Sequence, residues 1–300
     1  YINSYIYSRL QNLYFKNLNF TLLGLILKIL FKIIFNILII IGINFSAYAF
    51  STDWKISSDG VNDIIKMRIS SATEGVVGLY NIPISLEIVT SPGWKIYWRN
   101  PGDSGLPTEV TFDGSQNLKN FNILWPAPFR FSTFGIDTFG YEGKIILPIN
   151  LIPERVNEEI NLISQISLLA CNEICIPFKQ DFVLNIPNKP HAPNLNTRER
   201  AKYLSLVPKL IIPKGFSIGA IALNEDGILL ERIKFPINNY DVFVENEKGI
   251  NFGKPIKSGN NILLPKLNEN IKILDEELIK LTFVSESVSF EKKIKLIQTR

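Results

Sequence analysis

The strongest constraint on the fold is the rhythm of apolar runs and turns after residue 50. Short apolar stretches, among them "NIPISLEIV" (81–89), "GWKIYW" (93–98), "KIILPINL" (144–151), "NLISQISLLA" (161–170) and "FVLNI" (182–186), are broken by Pro92-Gly93, Pro101-Gly102, Asp113-Gly114 and Glu142-Gly143. Short apolar runs at this spacing, separated by turn chemistry, read as strands. No long amphipathic helix appears in this half. The pattern predicts an antiparallel β-sandwich.

A proline cluster, "IPNKPHAP" (186–193), then interrupts the pattern, because Pro187, Pro190 and Pro193 oppose ladder pairing. It reads as a linker. "NTRERAKYLSLVP" (196–208) reads as a short helix, with Thr197 available as a cap and Pro208 just past its end. From about Lys209 a second β pattern follows: "GFSIGAIAL", "GILLERIKF", "YDVFVE", "NNILLPKL", "LIKLTFVSES" and "VSFEKKIKLI". The last two read as a hairpin, in which Ser289, Glu291, Lys293 and Lys295 alternate with apolar partners. The fold class expected is all-β: two immunoglobulin-like β-sandwich domains in tandem, 50–187 and 209–300, joined by 188–208 and preceded by an N-terminal hydrophobic helix.

Residues 1–49 are expected to be a targeting segment. Lys28 and Lys32 flank an apolar core from Ile33 to Ile43, and Ala47-Tyr48-Ala49 provides small residues for cleavage after Ala49. That is the layout of a secretory signal peptide. The alternative is an uncleaved anchor over residues 20–45, an apolar stretch interrupted by Lys28, Lys32 and Asn36.

The net charge of +4 comes from this segment, which carries Arg9, Lys16, Lys28 and Lys32 and no acidic residue. Setting those four aside leaves 28 basic and 28 acidic side chains. A neutral body has no electrostatic footprint for nucleic acid. A hydrophobic fraction of 46% is ample for packed cores and excludes a disordered chain.

The candidate chemistry lies in "ACNEICIP" (170–177), which holds the only cysteines, Cys171 and Cys175. Zinc needs about four ligands at set spacings. Two cysteines and the single His191, which sits in the proline segment, fall short of that. His191 is also too far along the chain for a Cys–His nucleophile pair, and no carboxylate pair makes a defensible dyad. Glu158-Glu159 and Glu276-Glu277 read as solvated turns. No metal or cofactor is expected.

Two readings of the pair remain open. As a structural staple it closes a loop of about five residues, for which chain entropy gives roughly 2 kcal/mol, against ~4.7 for a loop of 100. As an exchange centre it suits the spacing: Asn172-Glu173-Ile174 make a tight turn, Cys175 starts the returning strand, and a hairpin end is open to a partner thiolate. Glu173 supplies a nearby carboxylate, which disfavours a thiolate. Export would let a disulfide persist.

Four stretches, "PGWKIYWRNPGDSGLPTEV" (92–110), "ILWPAPFRF" (123–131), "FGYEGKIILPI" (139–149) and "LLACNEICIPFKQDFVL" (168–184), together resemble the N-terminal periplasmic domain of DsbD-type thiol:disulfide interchange proteins, in the branch that includes ScsB-like proteins. The resemblance is close over 54–187 and weaker in the second β region. It implies an immunoglobulin-like domain acting as a periplasmic thiol:disulfide oxidoreductase, with Cys171 and Cys175 as the redox pair. The implied electron donor is a membrane-embedded domain or protein working with a thioredoxin-like domain. The implied acceptors are periplasmic disulfide proteins, such as isomerases or cytochrome c maturation factors.

The resemblance also implies an aromatic cap over the disulfide. Asp137–Tyr141 is the matching segment, with Phe139 the first candidate and Tyr141 the second. The three-residue spacer is shorter than in the better-studied members. No multi-helix membrane domain is present, so the resemblance implies a separate membrane protein or a longer chain. The alternative to the relay is an exported structural or protein-binding module with a purely structural disulfide. Trp94, Trp98 and Arg99 stand in the strongest motif without an assigned role. Trp is expected in the core, and "RNPGDSGLP" at a structural corner.

Overall fold

The computed structural model describes residues 50–133, 136–235, 239–267 and 278–296. The expected signal or anchor (1–49) and Glu276-Glu277 lie outside the described residues. Among the described residues, no helix is long and apolar enough to cross a membrane.

The first half contains β1 (Lys55–Ser58), β2 (Asp63–Ser71), β3 (Ile82–Thr90), β4 (Lys95–Gly102), β5 (Glu109–Thr111), β6 (Leu118–Ile123), β7 (Phe129–Thr133), β8 (Ile136–Glu142), β9 (Lys144–Pro153), β10 (Ile160–Cys171) and β11 (Cys175–Ile186). A helix, α1 (Asn196–Leu204), follows, the one helix among the described residues. Then come β12 (Ala220–Asn224), β13 (Gly227–Glu231), β14 (Tyr240–Glu245), β15 (Ile256–Ser258), β16 (Asn261–Pro265), β17 (Leu278–Ser285) and β18 (Ser289–Lys295). The protein is nearly all β and sandwich-like, as the rhythm of runs and turns predicts. The four turn-signal glycines, Gly93, Gly102, Gly114 and Gly143, take φ between +74° and +83°, a backbone state open to glycine without a Cβ penalty.

In the first sandwich one sheet runs β1-β2-β3-β9-β6 and the other β11-β10-β4-β8-β7, with β5 also pairing with β10. Ile69, Leu86, Ile149, Trp98, Leu162 and Ile166 are among the fully buried side chains between them. Strands β3 and β9 are buried nearly throughout because α1 covers part of their outer face. Arg200 donates to the Ile84 carbonyl (3.2 Å) and the Asn150 amide oxygen (2.6 Å), and the Tyr203 hydroxyl donates to the Lys144 carbonyl (2.8 Å). Two-sided cover explains why their sequences alternate only in part.

The helix lies where the sequence places it, but Thr197 does not cap it. The cap position is Leu195, without a side-chain hydrogen bond. The Thr197 hydroxyl instead donates to the Ala72 carbonyl (2.7 Å) and accepts from the Asn194 amide (3.0 Å). The proline segment forms no ladder, yet it is tied to the first sandwich: Glu74 N–H donates to the Ala192 carbonyl and Val77 N–H to the Lys189 carbonyl, both at 2.9 Å.

The second half has a four-stranded sheet, β12-β13-β16-β15, and a three-stranded sheet, β14-β17-β18. They enclose a separate core that includes Ile228, Leu264, Leu281, Phe283 and Phe290. The terminal hairpin is the expected one, with Phe283 opposite Phe290. Phe243 of β14 departs from this division. It is 1% exposed and belongs to the first core, edge-on to Trp98 and Phe139.

Candidate active site: a disulfide at a hairpin end

Strands β10 and β11 pair in unbroken register from Ile160–Ile186 to Cys171–Cys175. The period of two keeps paired side chains on one face, so the last pair of this ladder places the two cysteines side by side. They form a disulfide with Cα atoms 4.1 Å apart. Asn172, Glu173 and Ile174 close the turn, with Asn172 N–H donating to the Ile174 carbonyl at 2.9 Å. All three are exposed, and β11 is an edge strand, so the bridge sits at a corner of the sheet.

The two sulfur-bearing residues differ in access. Cys171 is 8% exposed, whereas Cys175 is exposed. Cys171 lies deeper because β10 also pairs with β4 there, with Ala170 opposite Ile96 and Cys171 opposite Lys95. The alternation along β4 then decides the surroundings. Ile96 and Trp98 turn into the core, and Lys95 and Tyr97 share the disulfide's face. The Tyr97 hydroxyl donates to Cys171 Sγ at 3.0 Å and lies 3.9 Å from Cys175 Sγ. Burial raises the Tyr97 phenol above its usual pKa, so it remains a protonated donor at neutral pH.

The loop after β4 holds the Tyr97 ring. A Cβ on Gly105 would lie 2.3 Å from the ring, and Gly105 has φ +101°, so only glycine lets the backbone pass this close. The corner expected at "RNPGDSGLP" thus also seats the tyrosine. A cavity of about 140 Å³ opens beside the disulfide, lined in part by Lys95, Tyr97, Ser104, Phe131, Ile136 and Thr138. The Lys95 ammonium stands 4.8 Å from the Phe131 ring centroid.

Neither expected cap residue reaches this cavity. Phe139 and Tyr141 are each 3% exposed and belong to the core. Phe139 packs edge-on against Phe243 at 4.8 Å, and the Tyr141 hydroxyl donates to the Pro126 carbonyl at 2.7 Å. The reason is parity: in β8 the odd-numbered Phe139 and Tyr141 face inward, and Thr138 faces the disulfide. Besides Tyr97, the aromatic at the cavity is Phe131, opposite Thr138 in the β7–β8 ladder. Tyr97, Phe131, Ile136 and Thr138 are site residues that the sequence reading does not assign. The legible signal was Lys95-Ile96-Tyr97-Trp98, whose alternation separates a core face from a second face.

The remaining candidates lie apart from the sulfurs. His191 Nδ1 donates to the Val77 carbonyl at 2.8 Å. Glu158 and Glu159 are exposed. Among the described residues no three His, Cys, Asp or Glu side chains are grouped to hold a metal ion. Trp98 is wholly buried, and Arg99 forms a bidentate pair with Glu245 (2.8 Å for each bond).

Part of the chain matches a known family, and its fold has a solved counterpart. Residues 79–187 match the family model described as thiol:disulfide interchange protein DsbD, N-terminal. The N-terminal periplasmic domain of ScsB from Proteus mirabilis has a similar structure: TM-score 0.68 at 20% identity, covering 84% of this chain and all of that one. This likeness extends the shared fold through the second β region. The CupB2 chaperone of Pseudomonas aeruginosa and the periplasmic chaperone SfaE align over 75% and 77% of this chain, and 99% and 100% of theirs, at 11% and 12% identity. Their TM-scores are only 0.21 and 0.20. No curated protein matches the sequence.

Proposed function

We propose that the DsbD-type N-terminal domain within residues 79–187 makes this protein a periplasmic dithiol–disulfide relay centred on Cys171 and Cys175. The carrying observation is the asymmetric disulfide: an exposed Cys175 bonded to a buried Cys171 whose sulfur accepts a hydrogen bond from Tyr97. Thiol exchange needs an accessible sulfur to attack and a leaving thiolate that is stabilised. Cys175 supplies the first and Cys171 the second.

In the reductive half, a thiolate of the donor attacks Cys175 Sγ. The Cys171–Cys175 bond breaks, and its electron pair leaves on Cys171 as a thiolate, toward which Tyr97 donates. The donor's second thiolate then attacks the donor sulfur of the mixed disulfide and releases Cys175. The donor departs as a disulfide, having delivered two electrons. In the oxidative half, the Cys175 thiolate attacks the acceptor's disulfide and Cys171 resolves the mixed disulfide, re-forming the bridge. The donor in this reading is a membrane electron carrier with a thioredoxin-like domain, and the acceptors are periplasmic disulfide proteins.

The test is trapping. Cys171→Ser removes the resolving thiol and is expected to hold a covalent, reductant-sensitive complex with a protein partner. Cys175→Ser leaves only the buried sulfur and is expected to trap far less. The pair's reduction potential should lie above about −300 mV, the region below which inert bridges fall. Absence of any trapped complex, together with a potential below that value, would leave the disulfide as a staple.

A further inference from the structure

The β7–β8 hairpin has two working faces. Phe131 and Thr138, paired in register, face the disulfide cavity. Arg130 and Phe139, the neighbouring pair, face the second β region. The Arg130 side chain, 9% exposed, is the hub of that second face. It donates to both Asp241 carboxylate oxygens (2.8 and 3.1 Å) and to the Val242 carbonyl (3.2 Å) on β14, and to Asp137 of β8 (3.1 Å). Its guanidinium also lies 4.7 Å from the Phe139 ring and 5.2 Å from the Phe243 ring. A planar fork used in this way fixes position as well as charge.

We propose that Arg130 is a positioning residue for exchange at Cys171–Cys175: through it, β14 of the second β region holds the hairpin that walls the disulfide cavity. The inference rests on the exchange role proposed above and gives the second sandwich a part in it. Arg130 touches neither sulfur. Because Phe131 and Thr138 alternate with Arg130 and Phe139 on the same two strands, a shift of one face carries the other. Releasing Arg130 from Asp241 loosens the wall and opens the disulfide to small thiols.

The experiment compares second-order rates of disulfide reduction by dithiothreitol in the full chain, alongside thermal midpoints. Arg130→Gln and the milder, more exposed Asp241→Asn are expected to raise the rate about tenfold, as for loss of a charge-assisted hydrogen bond. The double variant should be no faster than Arg130→Gln alone, since Asp241 acts through Arg130. Arg130→Lys, which keeps the charge without the fork, should fall between. Arg68→Gln is the control, because it breaks an ion pair with Glu87 on the opposite sheet (3.0 Å). It is expected to lower the midpoint and leave the rate unchanged.

A wild-type rate in both Arg130→Gln and Asp241→Asn overturns the proposal, as does equal acceleration by Arg68→Gln. Absence of any trapped complex, together with a potential below about −300 mV, would instead defeat the relay reading, with the positioning role still decided by the variant rates.

Discussion

The Tyr97 hydroxyl lies against the disulfide, nearer the buried sulfur, 3.0 Å from Cys171 Sγ against 3.9 Å from Cys175 Sγ. A neutral donor bound to a neutral disulfide gains little. The same donor facing a thiolate makes a charge-assisted bond, about 1.5–3 kcal/mol. Tyr97→Phe keeps the ring and removes that bond. It is expected to slow reduction of the disulfide about tenfold or more and to raise the pKa of the Cys171 thiol, with little change in thermal midpoint. Stopped-flow reduction and a pH titration of thiol alkylation check this.

Gly105 makes Tyr97's seat possible. Gly105→Ala introduces a Cβ against the ring at a φ of +101°. The strain of such a backbone state is of order 1–3 kcal/mol, before any displacement of the tyrosine. The variant is expected to lose about that much stability in urea denaturation, and to share the slow exchange of Tyr97→Phe if the ring moves.

Asp103 gives a pH dependence. Burial lifts its carboxyl above the usual value, and the Asp137 backbone and Arg130 draw it down only in part. Its Oδ1 is buried without a hydrogen-bond partner. A carboxyl with a raised folded-state pKa favours folding when protonated. Its cost is therefore present above that pKa and disappears below the unfolded value, near pH ~4. Asp103→Asn is expected to raise the thermal midpoint at about pH 7, with the gain closing as the pH falls to about 3. Thermal scans across that range decide it, and an equal gain at every pH would refute it.

Phe243 joins the two halves through packing. It is 1% exposed within the first core and meets Trp98 and Phe139 edge-on. Phe243→Ala is expected to cost about 3–5 kcal/mol. Because it weakens the apolar contact between the halves, leaving Val284 as a smaller one, a single unfolding transition should broaden or separate into two, visible by calorimetry.

Much of this protein could be read along the chain. Period-two apolar runs and turn glycines are local properties, and they placed β3, β9, β10 and the β17–β18 hairpin. The cysteine hairpin was legible for the same reason, since an apolar run, a three-residue turn and a returning strand need only neighbouring residues. Strand β2 was harder to see. Its "DIIKMRISS" mixes charges into a nearly buried strand, and Arg68 and Ser70 are accommodated there by Glu87, seventeen or more residues away.

What the sequence by itself determined was the all-β class, the tandem β regions and the pairing of Cys171 with Cys175. Only the tertiary structure decided which residues surround that pair. A strand sends alternate side chains to opposite faces, so Phe139 and Thr138 have opposite fates, and the choice depends on which sheet each face meets. Likewise Arg99 and Arg130 find partners 146 and 111 residues further on. Those contacts exist because two separately encoded β regions pack together, and no local pattern of residues carries that information.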